Sequence, residues 1–303
     1  MRTFLKFGFS LPAIAGLCAL AWVLWDQAHP RSIPYPPREV TVPTQGVTVA
    51  MPDLAGRPLV DITVNGKGPY RFILDTGAEM TVIDPSLRES LALIDRGGAN
   101  ANLDGRSLPL VQIDELTVGA ARLAGVTALP MSVSRILKVD DPPVGVLSAM
   151  SFTGQLVTFD YPHQQITIRP GALAAGEVDT FEYDADQLVP AVPIHIGDRV
   201  ISVPVDTGAS SGLTLPNKYL YNLPIESRRD GPKPIRTAAG EFAVTLATAT
   251  APISIGTNRL PQELQFSDTR GGSGMPQGTV GYAVLREFVV TLDSKNHRIR
   301  ITK

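Results

Sequence analysis

The chain has 303 residues, 44% of them hydrophobic and 18% charged, and the charged share falls below the roughly 25% usual for soluble domains. Its net charge of −2 provides no global positive field, and no run of Lys or Arg reverses this locally, so nucleic acid is excluded as an expected partner. The length suits one large domain or two ordinary ones.

Arg2 and Lys6 precede an uncharged, mostly apolar run from Phe7 to Trp25, which Asp26 ends. As a helix this run would rise about 28 Å, close to the roughly 30 Å of a hydrocarbon core. The basic flank comes first, which predicts that the remainder is translocated to the exported, periplasmic face. Two readings compete for residues 1–26, a signal anchor and a cleaved signal peptide. Ala19 and Ala21 supply an A-x-A site, and cleavage there would leave a secreted protein. Trp22-Val23-Leu24-Trp25 would then remain as an apolar stub, which favours the anchor, with residues 7–25 in the membrane. Cys18 is the only cysteine. Leu17 before it argues against a lipoprotein site, and nothing downstream of it can form a disulfide. Residues 27–46 contain Pro30, Pro34, Pro36, Pro37 and Pro43 and read as an extended tether rather than a packed element.

From residue 47 the chain repeats itself. YRFILDTGAEMTVI around Asp75 resembles RVISVPVDTGASSGLTL around Asp206, an offset of 131. GVLSAMSFTGQLVTFDYPHQQITI from Gly145 parallels GTVGYAVLREFVVTLDSKNHRIRI from Gly278, an offset of 133. Two matches in the same order and nearly the same spacing indicate duplication. LVDITVNG and VPIHIGDRVISVPV alternate apolar and polar residues, which predicts strands joined by Gly-containing turns. Residues 84–94 and 216–222 are the only stretches that suggest short helices. The expectation is a mostly β protein of two pseudo-symmetric, β-barrel-like lobes over residues 47–170 and 187–303. Residues 171–186 would join them, and a ligand cleft would lie between.

Each half carries Asp-Thr-Gly-Ala directly after a predicted strand, Asp75-Thr76-Gly77-Ala78 and Asp206-Thr207-Gly208-Ala209. A carboxyl supplies acid–base chemistry, Gly permits the tight turn that presents it, and Thr is suited to hydrogen-bond across an interface and hold the loop. Two such loops meeting at a pseudo-twofold axis would bring Asp75 and Asp206 together, where they would share a proton. Thr76, Gly77, Thr207, Gly208 and Ser210 would support the loops.

These motifs resemble those of the pepsin and retropepsin superfamily of aspartic proteases, and ILDTGAEMTVI is closer to the retropepsin version. Over residues 47–303 the chain resembles bacterial retropepsin-like proteins with two fused lobes. The resemblance implies an endopeptidase acting on peptides or proteins, active as a monomer, with Asp75 and Asp206 activating water and with neither metal nor organic cofactor. Proton sharing by paired aspartates is already known for such proteases. The resemblance also implies a hydrophobic-hydrophobic-Gly element behind each loop. Thr279-Val280-Gly281 matches it, whereas Val146-Leu147-Ser148 places a Ser where Gly is usual, and its Cβ is expected to crowd the Asp75 loop. Hairpin flaps are implied as well, with tips at Asp104-Gly105 and Ala239-Gly240.

Two other functions compete. A relative of this fold could bind peptides, or hold a complex together, without cleaving. Gly208-Ala209-Ser210-Ser211-Gly212 also fits the G-x-S-x-G pattern of serine hydrolases, with Asp293 and His297 downstream. That mechanism needs a helix after Ser210, where LTLP predicts a strand. Glu79 is read as a surface or support carboxylate. Asp160 and Asp293 precede turns and are read as structural. The four histidines show no metal-ligand spacing, and GGSGMPQG at 271–278 lacks the Lys and helix of a phosphate loop.

Overall fold

The computed structural model describes residues 35–103, 106–133, 137, 140–226, 230–237, 240–268 and 278–303. Residues 1–26, expected as an anchor, lie outside them. Among the described residues no helix is long and apolar enough to cross a membrane.

The fold is mostly β, as the alternating pattern predicts. In the first half β3 (Leu59–Val64) and β4 (Lys67–Asp75) form a hairpin turned by Asn65-Gly66, both with positive φ. An Asn-Gly pair takes that conformation readily and matches the twist of the strands. Together with β5 (Thr81–Ile83), β7 (Arg106–Val118), β8 (Ala121–Pro130) and β9 (Gly145–Ser148) they close a six-stranded barrel in the order β8-β5-β9-β4-β3-β7, sealed by β7–β8 pairing. Val60, Ile62, Val64, Phe72 and Leu74 are fully buried inside it. β6 (Asp95–Leu103) extends the sheet beside β7.

The two halves share a six-stranded sheet. Its order is β12 (Thr180–Glu182), β23 (Arg298–Thr302), β22 (Val289–Asp293), β10 (Gln155–Asp160), β11 (Gln165–Pro170) and β2 (Val47–Ala50). At its centre β10 pairs antiparallel with β22, and Thr158 lies opposite Thr291, its equivalent in the sequence repeat, with the two hydroxyls 3.0 Å apart. The remaining strands of the second half form two sheets. One is β14 (Arg199–Pro204), β13 (Ala191–Ile196), β18 (Ile253–Ile255) and β19 (Asn258–Leu260). The other is β16 (Asp230–Thr237), β17 (Gly240–Thr248), β20 (Glu263–Phe266), β15 (Leu213–Leu215) and β21 (Thr279–Val280).

Several expectations change in detail. The Pro-rich stretch 27–46 is not a spacer throughout, because Glu39–Thr41 form β1 and pair with β8. The joining segment 171–186 contributes β12, which pairs with β23. One buried cluster spans both halves, running from Val60 and Phe72 in the barrel, through Phe159 in the shared sheet, to Phe266 and Leu285. A shared sheet has side chains of both halves on its faces, so their cores merge there. The expected helix at 84–94 is shorter: α1 (Pro85–Ser90) starts at an Asp84 cap and stops before Ala92, whose φ is +50°. Residues 216–222 hold only a 3-10 turn at Asn217–Tyr219.

Candidate active site

The two Asp-Thr-Gly loops meet. Asp75 ends β4 in parallel register with Ser148 of β9, and Asp206 follows Val205, which bridges Val280 of β21. Both threonines are completely buried. The Thr76 amide donates to Thr207 Oγ1 (3.0 Å), and that hydroxyl donates to the Leu74 carbonyl (3.0 Å). Reciprocally, the Thr207 amide donates to Thr76 Oγ1 (3.1 Å), which donates to the Val205 carbonyl (2.7 Å). Each hydroxyl thus uses its donor and an acceptor site on backbone groups that would otherwise be buried unpaired.

These bonds set the carboxyls side by side. The amides of Gly77 (2.7 Å) and Gly208 (3.1 Å) both donate to Asp75 Oδ1, so one amide from each loop holds this carboxyl. Burial pushes both aspartates above the usual carboxylate range. For Asp206 the charge of the neighbouring Asp75 adds to the effect of burial. The shift of Asp75 is restrained by Gly77, Asp206, Gly208 and the charge of Arg57. Two carboxyls in this arrangement cannot both ionise cheaply, so they titrate as a pair and hold one proton over an intermediate pH range.

The glycines leave no room for a side chain. A Cβ on Gly77 would lie 2.5 Å from Asp206 Cγ, and one on Gly208 would lie 2.6 Å from Asp75 Cγ.

Behind the loops the halves differ. A Cβ on Gly281 would meet the carbonyls of Ser211 (2.5 Å) and Ala209 (2.8 Å). Ser148 does not crowd its loop, which corrects the sequence expectation. Its backbone (φ −65°, ψ 122°) differs from that of Gly281 (φ −110°, ψ −171°), and its buried hydroxyl donates to the Ala78 carbonyl at 2.6 Å. Ser148→Ala is expected to cost about 1 kcal/mol through that lost bond, read as a lower midpoint in urea unfolding.

Sequence reading missed Arg57. It sits at the end of a tight turn, Leu54 to Arg57, in which Ala55 (φ +51°) and Gly56 (φ +82°) are left-handed. The turn is closed by backbone bonds in both directions between Leu54 and Arg57, and Asp53 Oδ1 accepts from the Gly56 amide at 2.7 Å. A Cβ on Gly56 would meet the Tyr282 ring (2.9 Å) and Ser210 Cβ (3.1 Å), so glycine lets this first-half turn press against the second half. The Arg57 guanidinium donates to Ala55 O (3.1 Å) and, weakly, to Ser210 Oγ (3.4 Å). Burial lowers its pKa although Asp206, Asp75 and Asp53 all favour its charge.

The remaining sequence candidates fall into place around this centre. Ser210 lies beside the loop, facing Arg57, and is followed by strand β15 rather than a helix. His297 packs edge-on against Tyr183 at 5.6 Å, and Asp293 is bonded to the Leu173 and Asn296 amides. The serine-hydrolase arrangement therefore lacks its elements. Asp160 accepts from His163 and Gln165 at its hairpin, a structural role like that of Asp293. Glu79 is exposed. Leu103 pairs with Arg106 and Thr237 with Gly240; of the residues expected as flap tips, Asp104, Gly105 and Ala239 lie outside the described residues, and Gly240 opens β17. Of the loop 271–278, only Gly278 is described.

No curated protein matches the chain. Residues 60–150, which include Asp75 and Ser148, match a family model described as aspartyl protease, so this part of the chain is similar to the aspartyl proteases.

Proposed function

We propose that the protein is an aspartic endopeptidase whose two halves act as paired lobes, with Asp75 and Asp206 as its catalytic dyad. One observation carries the reading: two carboxyls set side by side, on equivalent loops of a duplicated sequence, by reciprocal Thr76 and Thr207 hydrogen bonds and the Gly208 amide. The family match over residues 60–150 supports it. With one proton on the pair, the ionised carboxylate takes a proton from a water as its oxygen attacks the scissile carbonyl. The protonated carboxyl donates to the carbonyl oxygen, giving a neutral gem-diol. Collapse of that intermediate breaks the C–N bond, a proton passes to the leaving nitrogen, and the dyad returns to its singly protonated form. Arg2, Lys6 and the apolar stretch that follows support an exported location for this activity.

The test is binding of a peptide isostere with a hydroxyl in place of the scissile carbonyl. The expected result is tight inhibition of the wild-type protein that is lost in Asp75→Asn. A protein that only binds peptides would hold unmodified peptide and isostere alike, in the wild type and the variant.

Gly208→Ala should lower kcat by about 100-fold with KM little changed, because an extra Cβ displaces Asp75 while leaving peptide contacts elsewhere intact. Steady-state kinetics on any cleaved peptide measures this.

A further inference from the structure

The duplication supplies a control for the position of Arg57. The Pro58 carbonyl accepts from the Leu74 amide (3.0 Å), and the Pro190 carbonyl accepts from the Val205 amide (2.8 Å), so the two prolines are equivalent and Arg57 corresponds to Val189. The partner positions on the loops differ as well: Ser210 faces Arg57, whereas its equivalent in the first half is Glu79. A site built by duplication is thus cationic on one side of the dyad and has Val189 in place of the cation on the other.

Arg57 is under-used by its own protein. A guanidinium has five N–H donors, and among the described residues it makes only the bonds to Ala55 and Ser210. Among the described residues it forms no ion pair, and Ser210 offers it a neutral oxygen. Burial outweighs the attraction of three nearby aspartates, so its charge is incompletely compensated. The turn that carries it is fixed by two left-handed residues, a reciprocal pair of backbone bonds and close packing on Ser210 and Tyr282. A planar donor fork held in this way is suited to a carboxylate, which accepts two of its N–H groups side by side.

We propose that Arg57 is a specificity-determining residue that binds a carboxylate of the peptide substrate on one side of the scissile bond, while the equivalent position at Val189 makes no such demand. This rests on the endopeptidase reading. The carboxylate is either an Asp or Glu side chain or the free C-terminus of a short peptide, and the geometry is the same for both.

The experiment uses the full chain and matched peptides carrying Glu or Gln at each position around the cut, each with a free or amidated C-terminus. At one position, on one side only, the wild type is expected to prefer Glu over Gln by at least about tenfold in kcat/KM, the scale of a charge-assisted hydrogen bond. A preference for free over amidated ends, with none for Glu, assigns the terminal carboxylate instead. Whichever preference is found should rise with pH through about 4.3 for a Glu side chain, or about 3.5 for the terminus, as the ligand ionises. Arg57→Gln should erase it. Ser210→Asp, which gives Arg57 a carboxylate of its own, should erase it while keeping the arginine, and so separates recognition from any structural role. Each variant is compared at its own pH optimum. Cleavage by the wild type with no carboxylate preference, or with one that survives both substitutions, overturns the assignment and leaves the endopeptidase standing. No cleavage of any peptide removes both.

Discussion

Asp206→Asn is expected to abolish cleavage and to make the protein more stable at neutral pH. The activity loss should reach at least about 10³-fold, because a neutral amide can neither accept the proton of water nor donate as an acid. The stability gain follows from the direction of the pKa shift. In the unfolded chain the carboxyl titrates near about 3.9, and in the fold it titrates higher because of burial and the adjacent Asp75. Between those two values the native state binds more protons than the unfolded state. Stability is therefore fully present below the unfolded pKa and is lost as pH rises through the native one. An amide at 206 removes this loss. Melting curves of the wild type should fall from pH 4 to pH 7 more steeply than those of Asp206→Asn, with the variant melting higher at pH 7. A variant with a lower melting temperature at both pH values would show that the charged form is satisfied in the fold and that the Asp206 carboxyl is not held above its ordinary range.

Thr207→Val should be severely damaging for so conservative a change. The two side chains have nearly the same shape, so the core does not lose volume, but two buried backbone groups lose their partner. The Thr76 amide has its bond to Thr207 Oγ1, and the Leu74 carbonyl receives its bond from the same oxygen. At about 1–3 kcal/mol for each unsatisfied group, the loss is about 2–6 kcal/mol. Denaturant titration measures it, and Thr207→Ser, which keeps the hydroxyl, should recover most of the difference. The loss should be accompanied by reduced activity, because these bonds hold Asp75 and Asp206 at their separation.

Much of this arrangement was legible in the residues themselves. The repeated Asp-Thr-Gly-Ala motif marked both loops, and the second repeat marked the strands that meet at Thr158 and Thr291. Period-two alternation and Gly-containing turns marked the strands that lead into Asp75. What was not legible depends on distant partners. Glu39–Thr41 forms a strand only because β8 presents an edge to it, and prolines on either side conceal that in the sequence. Ser148 was read as a clash because a Gly comparison assumes a common backbone, whereas its own φ and ψ place the hydroxyl on the Ala78 carbonyl. Arg57 carries no local pattern. The one signal that could have found it is the alignment of Arg57-Pro58 with Val189-Pro190, two short segments too dissimilar to notice before their prolines are seen to make the same bond.

The most direct test is cleavage of a mixed peptide library by the full chain from pH 3 to pH 8, with Asp75→Asn assayed alongside. The wild type is expected to cut peptides over a bounded pH range and the Asn variant to cut none detectably. Equal cleavage by both proteins, or none by a folded wild type at any pH, would contradict a catalytic dyad of Asp75 and Asp206.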